Sequence, residues 1–539
     1  MISLLIFAVT KILELSRFNL NNGSVSRAYY DFLSLSLLGA ILLFFFLSKK
    51  DWAGRLEAKA ENIFSSRPPL LLSLDLLLAV LVLYESWRYS DLLYLYPVRC
   101  GAGDMLPAIR GAAEQLAVFS NPFDKVYCPW NAPFGYLPMM MVYYLPGVLL
   151  KFDIRFISYF CFLLTLFSIY RERRRRGSPL GGFLIVMVML TSPLFRFYML
   201  TVQDFPFVFV VTLALFAFTE KKNGLLYFCL ALALATRQIF AVLLPFFLIA
   251  AWKTRRVRAS GPVIFAAGLC VGFFPAFFYP RSFILNLIRV FPYYSQAQQN
   301  NHFLIHSLGL SYYFFDRKTL ASLLFVTLLA ALYVLALKAL KESNLWLFLA
   351  LGLLTFLFFT RYGLRPEEYY YLPLFAILTT IPVRNIQGRV YAGPPRPFLP
   401  VLTGVCVALL FLFPLLAAKG GFPVRLQGSS PSPLSGSLEG DGRLEFSLAV
   451  AAPHLRNEPI TFQIRRKHPG RRTPLTVSVR INDRPIVSRD MREDKIRIDI
   501  DWDLQKKYFI WGSNAFEVTL DKPEPFLLKL FRNREGQRK

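Results

Sequence analysis

The sequence predicts an all-α polytopic membrane bundle followed by a small C-terminal β-sandwich. Three observations lead to this fold class. Hydrophobic residues make up 55% of the 539-residue chain, and the mean hydropathy is +0.44, values typical of polytopic membrane proteins. Apolar runs of roughly spanning length recur before position 419 and predict about 12 transmembrane helices. Beyond that point the chain alternates apolar and polar residues, as strands do.

The basic residues argue for a membrane rather than a nucleic acid as the partner. The formal net charge is +27, but the lysines and arginines occur in short clusters between apolar runs. This placement indicates positive-inside topology and contact with anionic lipid headgroups, so no nucleic-acid partner is predicted. The first fifteen residues contain Lys11 and Glu14 and lack a small-residue cleavage site, so no cleavable secretory signal is expected.

The predicted spans are apolar runs separated by polar connections. They lie near 30–48, 70–89, 153–170, 180–195, 205–219, 224–236, 239–252, 261–280, 319–340, 344–360, 369–383 and 398–418. Residues 137–151 are also apolar, but counting them as a span would break the topology, so we interpret them as re-entrant or as the lip of the next span. With this arrangement the basic clusters at 49–67, 171–176, 221–222, 253–258, 338–341 and 384–396 share one side, which the positive-inside rule makes the cytoplasm.

The connections on the other side hold most of the remaining polar features. Charge at a membrane edge indicates function by default, and this gathering predicts an outward-facing polar cavity. The connections contain Asp104, Arg196, Gln203, Asp204, Arg237, Gln238, the stretch 280–318 with His302 and His306, and residues 361–368.

The chain divides into three parts by composition. Residues 1–418 form the predicted membrane domain, and the Gly-, Ser- and Pro-rich stretch 419–440 is typical of a linker. Residues 441–539 contain alternating segments with turns predicted at 482–483 and 512–514, which indicates a β-sandwich on the outer face. Its strand-to-turn sequences resemble those of jelly-roll carbohydrate-binding modules, and an immunoglobulin-like spacer without a ligand remains an equal alternative.

Residues 96–146 contain four features in a fixed order. An acid, Asp104, follows a predicted span, and a stretch of helical spacing runs from Met105 to Val118. Asn121-Pro122-Phe123 comes next, and Tyr136-Leu137-Pro138 opens the following apolar run. This order resembles the first extracytoplasmic loop of the C-type glycosyltransferases (GT-C fold), and within them the bacterial polyprenol-phosphate-mannose-dependent mannosyltransferases.

The resemblance implies an enzyme of the bacterial inner membrane. It implies transfer of a sugar from a polyprenyl-phosphate donor to an extracytoplasmic glycan or glycolipid acceptor, with the active site and the C-terminal domain outside the cytoplasm. Mannose is what the family suggests, and other hexoses or pentoses fit equally. Under this reading Asp104 is the general base, and one direct displacement inverts the anomeric carbon. The alternative role for Asp104 is to cap the helix that follows it.

Gln203 and Asp204 open a predicted span on the outer side. The related transferases often have a Gln-Asp or Gly-Gln pair here, whereas this chain has Val202 where glycine is common. By this resemblance Asp204 is a second acid that positions the acceptor or a metal. Helix capping by Asp204 is the alternative, and Pro206 just inside the helix favours it.

Three arginines are candidate ligands for the donor phosphate. Arg237 interrupts an apolar stretch at a predicted outer edge, where related proteins usually have lysine, and a guanidinium can bind phosphate through two hydrogen bonds. Arg361 and Arg365 precede Tyr369 in a segment that resembles the late phosphate-binding motif of the family. The alternatives are snorkelling of Arg237, pairing of Arg365 with a nearby glutamate, and an interfacial rather than a sugar-stacking role for Tyr369.

The sequence predicts no metal site or cofactor with certainty. His302 and His306 are four residues apart, but no Cys/His cluster or HExxH motif accompanies them. The absence of a phosphate-binding glycine loop disfavours a nucleotide-sugar donor. A divalent metal and a disulfide between Cys100 and Cys128 both remain open alternatives.

Two other functions fit an outward-facing polar cavity. A transporter or flippase for a lipid-linked glycan would have one too, although such proteins usually contain inverted repeats or paired broken helices, which this sequence does not show. A non-catalytic scaffold of envelope assembly is the third option, and it would tolerate replacement of Asp104 and Asp204.

Overall fold

The structure is a computed structural model. It describes fourteen helices of five or more residues, a small two-stranded sheet of β1 (Val126–Tyr127) and β2 (Ala132–Pro133), and a C-terminal sheet. The described residues are scattered positions between 7 and 63, then 67–95, 98, 105–127, 132–175, 178–201, 204–254, 260–297, 318–341, 345–359, 424–425, 437–441, 443–450, 460–467, 475–491, 493–500, 504, 512–522 and 525–532. The helices are α1 (Pro68–Leu95), α2 (Met105–Ala117), α3 (Met139–Leu149), α4 (Arg155–Arg175), α5 (Pro179–Thr191), α6 (Pro193–Thr201), α7 (Phe205–Thr219), α8 (Asn223–Thr236), α9 (Phe240–Lys253), α10 (Ser260–Gly272), α11 (Phe274–Phe278), α12 (Pro280–Ala297), α13 (Lys318–Ala339) and α14 (Leu345–Phe359).

Most predicted spans coincide with one of these helices. Two differ from the prediction. The run 180–195 is broken between α5 and α6 by Ser192 and Pro193, and the run 261–280 is helical only to Gly272 before the short α11 begins. Proline lacks the amide proton that an uninterrupted helix needs, which explains both breaks. The predicted spans 369–383 and 398–418 lie outside the described residues, as does most of 30–48.

Residues 137–151 contain α3, which has eleven residues. At 1.5 Å per residue its length is about 16 Å, roughly half the thickness of a hydrocarbon core. A separate span here would therefore need a much longer helix.

Two helices in the described part of the chain are long and apolar enough to cross a membrane. They are Pro68–Tyr89 within α1 and Ser322–Ala339 within α13. Seven further apolar helices have between ten and seventeen residues. By length and composition the structure therefore supports association with a membrane through α1 and α13.

Small residues allow the closest helix contacts of the bundle. On α10, a Cβ built at Gly272 would lie 2.3 Å from the Ala235 Cβ of α8, and one at Gly268 would lie 2.7 Å from the Ala231 Cβ. Only glycine permits this spacing, which is typical of small-residue helix interfaces. The two helices pack together, and α7 packs on the other side of α8.

The basic ends of several helices meet at one end of the bundle. Arg174 of α4 binds both carboxylate oxygens of Asp75 in α1 at 2.7 Å, and Arg175 lies 2.6 Å from Glu220 at the end of α7. The ammonium group of Lys253 donates to the backbone carbonyl of Lys338 at 3.1 Å. Of the basic clusters, those around Lys253 and Lys338 are therefore in direct contact, while Arg174 and Arg175 pair with acidic residues of α1 and of the end of α7.

The C-terminal part is an antiparallel sheet made of β3 (Val424–Arg425), β4 (Ser437–Asp441), β5 (Arg443–Val450), β6 (Ile460–Arg466), β7 (Leu475–Ile481), β8 (Arg484–Met491), β9 (Lys495–Ile500), β10 (Gly512–Leu520) and β11 (Pro525–Arg532). The strand order is β8-β7-β10-β5-β4-β11-β6-β9, and β3 pairs with β5. The rings of Phe462 in β6 and Phe516 in β10 are 5.4 Å apart. These strands are not neighbours in the sheet, so its two halves face each other, as in a β-sandwich.

The turn predicted at 482–483 is confirmed, and the one at 512–514 is wrong. Asn482 and Asp483 have φ values of 51° and 68° and join Ile481 to Arg484, which are paired across β7 and β8. Two positive φ values in a two-residue loop are characteristic of a type I′ turn, and Asn and Asp tolerate them. Residues 512–514 instead begin β10, because Asn514 is buried and accepts a 2.9 Å hydrogen bond from the Asn482 amide.

Candidate functional site

Asp204 immediately precedes α7 and is almost fully buried, with 2% of its surface exposed. Its backbone carbonyl accepts the first helical hydrogen bond, from Val208 at 2.9 Å. Its side chain makes no capping hydrogen bond, so the alternative that Asp204 serves as a side-chain cap is wrong. Neither carboxylate oxygen has a hydrogen-bond partner within the described part of the chain.

Arg237 follows α8 and faces this carboxylate. Its Nε lies 3.2 Å from the Asp204 Oδ1, and its side chain is 9% exposed. The snorkelling alternative is therefore wrong, since the guanidinium is turned inward. The guanidinium carbon also lies 5.3 Å from the centre of the Tyr136 ring, a distance at which a cation and an aromatic face attract each other.

Helix α3 and the residues before it form one wall of this site. Tyr143 places its hydroxyl 3.3 Å from the Thr236 hydroxyl of α8, and Tyr144 shares a 2.7 Å hydrogen bond with Ser158 in the first turn of α4. The Gln238 amide donates to the Gly135 carbonyl at 3.3 Å. These contacts gather the start of α4, the start of α7 and the end of α8 around Asp204.

Asp153 and Arg155 form a second buried aspartate–arginine pair, which differs from the first in the hydrogen bonding of its carboxylate. Asp153 accepts hydrogen bonds from the backbone N–H, the Nε and an Nη of Arg155, at 3.0, 2.9 and 2.5 Å. Arg155 also donates to the Leu93 carbonyl of α1 at 3.0 Å. The Asp153 carboxylate is thus satisfied within the protein, and this pair serves to hold α1 against α4.

A third charged pair connects α1 with α6. Glu85 is 4% exposed, and its Oε1 accepts from Arg196 at 2.9 Å. On the next residue of α1, Ser86 shares a 2.7 Å hydrogen bond with Tyr159 of α4. Polar side chains of α1 therefore point into the bundle, next to the start of α4.

Asp204 differs electrostatically from an ordinary surface carboxylate. Burial raises the pKa of the Asp204 carboxyl to about 6, and the positive charge of Arg237 acts in the opposite direction. The desolvation of this carboxylate outweighs its one ion pair because its oxygens accept no hydrogen bond from any residue that the structure describes. A ligand that donates hydrogen bonds to Asp204 would favour the ionised form.

The site lies at the end of the bundle away from the arginine-rich helix ends. Helix α7 follows Asp204, ends at Thr219 and is followed by Glu220, which binds Arg175. Helix α4 likewise begins at Arg155, with Ser158 in its first turn, and ends with Arg173, Arg174 and Arg175. The predicted separation of the basic clusters from Asp204 and Arg237 is therefore seen in the helices themselves.

Only two of the predicted site residues can be located. The structure brings Asp204 and Arg237 together. The other predictions concern residues outside the described part of the chain, namely Asp104, Gln203, Arg361, Arg365, Tyr369, His302, His306 and the cysteines Cys100 and Cys128. Helix α2 begins at Met105, so Asp104 directly precedes a helix as predicted.

Sequence reasoning overlooked the aromatic and polar surroundings of the pair. It treated Tyr136 only as part of a motif and did not single out Tyr144 or Ser158. Buried charges such as Asp153 and Glu85 had a usable signal, since an ionisable residue within or beside an apolar run is costly unless it faces the protein interior. Tyrosine and serine in such runs carry no comparable signal.

Within the described residues, no group of three or more His, Cys, Asp or Glu side chains could hold a metal ion. Asp204 alone contributes one carboxylate, and the positive charge of Arg237 opposes a cation beside it. The described geometry accordingly fits a neutral or anionic polar ligand better than a metal.

No known protein family, curated protein or solved structure matches the chain.

Proposed function

We propose that this protein is a polytopic membrane glycosyltransferase that moves a sugar from a polyprenyl-phosphate donor to an extracytoplasmic glycan or glycolipid. The observation that carries the proposal is the Asp204–Arg237 pair. A buried carboxylate without a hydrogen-bond donor is costly, and a bound hydroxyl would supply that donor. The guanidinium of Arg237 beside it adds a positive charge that attracts the donor phosphate.

The orientation of side chains supports the membrane placement. On α13, large apolar side chains are exposed along the length of the helix, among them Leu323, Val326 and Val334. On α1, the exposed side chains include Leu76, Leu77 and Val80, whereas Asp75 and Glu85 are buried. A helix with apolar residues outside and charged residues inside is favourable in lipid and unfavourable in water.

Several short helices would cross together with these two. Helices α7, α8 and α9 have fourteen or fifteen residues, about 21 to 22 Å of helix each. Their ends carry the polar residues described above, and a locally thinned bilayer or flanking snorkelling residues accommodate short helices. This completes the proposed multi-pass bundle, with the arginine-rich ends in the cytoplasm.

The proposed reaction is one displacement. Asp104 removes the proton of an acceptor hydroxyl, and the hydroxyl oxygen forms a bond to the anomeric carbon as the bond from that carbon to the phosphate oxygen breaks. Polyprenyl phosphate leaves with the bonding electrons, and its negative charge is stabilised by Arg237, Arg361 and Arg365. Asp204 accepts a hydrogen bond from the acceptor and orients it. The product has the inverted anomeric configuration.

The remaining residues supply positioning. Tyr136 holds the Arg237 guanidinium against its ring, so the arginine is preorganised. Tyr369 stacks on the sugar. Preorganised groups stabilise the transition state more than mobile groups do, because they need no reorganisation when the charge develops.

Sugar transfer by the full-length chain in proteoliposomes tests this proposal. We would supply a panel of radiolabelled polyprenyl-phosphate sugars with envelope glycans and compare the wild type with Asp204→Asn and Asp104→Asn. Loss of a general base lowers the rate about 10²- to 10⁴-fold. Loss of an orienting group through Asp204→Asn is expected to lower it about 10²-fold.

Asp483→Asn is the matched control. It makes the same chemical change in a turn whose positive φ of 68° asparagine tolerates, and it should leave transfer unchanged. Unchanged transfer in Asp204→Asn would remove this residue from the site. Absence of transfer from every donor, together with movement of a lipid-linked glycan between leaflets, would replace the enzyme with a flippase.

A further inference from the structure

The exposed face of α12 is apolar, which is the reverse of a helix on a water-soluble surface. Its exposed positions 281, 284, 285, 288 and 289 form one stripe at helical spacing. Ile284, Leu285 and Ile288 occupy the middle of the stripe and are 56%, 38% and 61% exposed. On the opposite side the buried Asn286 donates to the Phe134 carbonyl at 2.7 Å. Asn286 therefore faces the protein, while Ile284, Leu285 and Ile288 face outward between two exposed arginines.

A second exposed apolar group lies beside the start of this helix. Phe119 is 85% exposed and Val118 is 70% exposed. Phe119 has a φ of 52°, a backbone conformation that is rare and costly for a bulky residue. The Tyr279 hydroxyl donates to the Phe119 carbonyl at 2.7 Å, and the neighbouring Phe277 and Phe278 are also largely exposed.

Specific contacts fix Phe119 to α12. Asp124 accepts hydrogen bonds from Asn121 at 2.6 Å and from Ser282 at 3.0 Å. The rings of Phe123 and Phe283 are 5.2 Å apart, edge to face. The turn at 121–123 therefore holds residues 118–125, which we call the Phe119 loop, against the first turn of α12.

Basic residues surround these apolar side chains. Arg281 and Arg289 are exposed at the two ends of the stripe, and Lys125 is exposed in the clamped loop. Apolar side chains edged by arginine and lysine characterise helices that lie in the interface of a bilayer containing anionic lipids.

We propose that α12 and the Phe119 loop form one rigid surface that lies on the anionic lipid headgroups of the outer leaflet. Ile284, Ile288 and Phe119 enter the boundary between headgroups and acyl chains, while Arg281 and Arg289 bind lipid phosphates. Water penalises the exposure of these side chains, and the interface removes that penalty. The contacts of this loop hold the backbone of Phe119 in its strained conformation. In that conformation the exposed ring inserts into lipid.

This surface would determine the height of the candidate site above the membrane. The Phe119 loop follows α2, whose first residue is next to Asp104, and Asn286 joins α12 to the segment that leads to Tyr136. The proposal rests on the membrane placement given above and is independent of the sugar-transfer chemistry.

Fluorescence quenching by brominated lipids tests the proposal on the full chain. Phe119→Trp and Ile288→Trp are reconstituted separately in nanodiscs of phosphatidylcholine and phosphatidylglycerol, and the emission added over the parent chain is recorded. An interfacial side chain lies about 5 to 10 Å into the headgroup and acyl boundary. Bromine on the upper acyl chain should therefore remove most of the added emission in both variants.

Arg489→Trp is the control, because residue 489 is exposed in β8. Its added emission should respond to aqueous iodide and not to brominated lipid. Quenching of Phe119→Trp and Ile288→Trp by iodide alone would overturn the proposal. Protection from both quenchers would also overturn it, since another protein or a second copy of the chain would then cover the surface.

The arginines provide a separate test. Removing phosphatidylglycerol from the nanodiscs should reduce lipid quenching of Ile288→Trp. Combining Arg281→Gln and Arg289→Gln with Ile288→Trp should abolish this dependence on anionic lipid. At equal ionic strength, lipid quenching of the combined variant should be weaker than that of Ile288→Trp alone. Persistence of the dependence in the combined variant would contradict the role of these arginines. None of these measurements requires sugar transfer, so their outcome is separate from that of the proposed enzyme activity.

Discussion

The helical bundle and the C-terminal sheet place polar and apolar residues in opposite ways. In the sheet, strand β7 alternates buried Leu475, Val477 and Val479 with partly exposed Thr476 and Ser478. In the bundle, Asp153, Glu85 and Asp204 are buried while α13 exposes leucine and valine. The sheet therefore shows the pattern expected in water, whereas α13 shows the outward apolar pattern expected of a helix in lipid.

This difference changes what a charge does in each region. An exposed ion pair in the sheet, such as Arg497 with Asp499, is surrounded by water and contributes little. Both members of a buried ion pair in the bundle must be present, because an unpaired charge there is not solvated by water.

Breaking the complete buried pair should have the largest effect. Asp153→Ala leaves Arg155 buried without its main acceptor, and we expect a loss of about 3 to 5 kcal/mol in the free energy of unfolding. Denaturant unfolding of the purified chain in detergent measures it. Arg497→Ala is the control, since it breaks the exposed pair from the side chain that is 55% exposed, and it should cost less than about 1 kcal/mol. Equal losses would show that the two regions do not differ as described.

A lysine on an exposed apolar position separates lipid from water. Val326 is 59% exposed near the middle of α13, and Val326→Lys should cost about 3 kcal/mol of membrane insertion. The integrated fraction of the full-length chain in a translocation assay measures this. Ser488→Lys, at an exposed position of β8, should change stability by no more than about 0.5 kcal/mol. Normal insertion of Val326→Lys would argue against a lipid-facing α13.

The two ends of α7 should respond oppositely to pH. Burial raises the pKa of Asp204 to about 6, so its protonation stabilises the folded state below pH 4 and this contribution is lost as the pH rises to about 6. Relative to Asp204→Asn, the wild type should lose up to about 3 kcal/mol of unfolding free energy over that interval. Thermal unfolding of both proteins at several pH values tests this.

The pKa of Glu220, which directly follows α7, is shifted in the opposite direction to that of Asp204. Burial would raise the pKa of Glu220, but Lys222 and Arg175 outweigh it and leave the value below its usual range. Its stabilising contribution is present at neutral pH and is lost as the pH falls through the lowered pKa. The stability of the wild type relative to Glu220→Gln should therefore fall on acidification. Slopes of the same sign for both variants would contradict the electrostatic difference between the two ends.

The smallest effect concerns the contact between the two regions. Arg484, at the start of β8, forms an ion pair with Glu114 of α2, and the two side chains are 44% and 24% exposed. Arg484→Ala should reduce stability by less than about 1 kcal/mol because water screens this pair. Arg484→Glu should be worse and should be rescued by Glu114→Arg. A much larger loss in Arg484→Ala would show that the sheet depends on α2 for its stability.

The sequence predicted the positions of the helices better than the properties of the site. Apolar runs located nine of the described helices, because burial in lipid or protein selects apolar side chains regardless of which helices touch. The turn at Asn482 and Asp483 could be predicted because few residues adopt positive φ and these two tolerate it. The helix ends near Ser192 and Gly272 were missed, since a proline or glycine permits a break without requiring one.

The sequence by itself determined that apolar helices precede a sheet, that basic residues cluster at one set of helix ends, and that Asp204 and Arg237 lie at the other. Only the tertiary structure decided that these two residues form a pair, that Asp153 accepts hydrogen bonds whereas Asp204 accepts none from the described residues, and that α12 exposes Ile284, Leu285 and Ile288. Composition and periodicity are local properties of the chain. A pair of residues on different helices, and the direction in which a helix faces, depend on how distant segments pack.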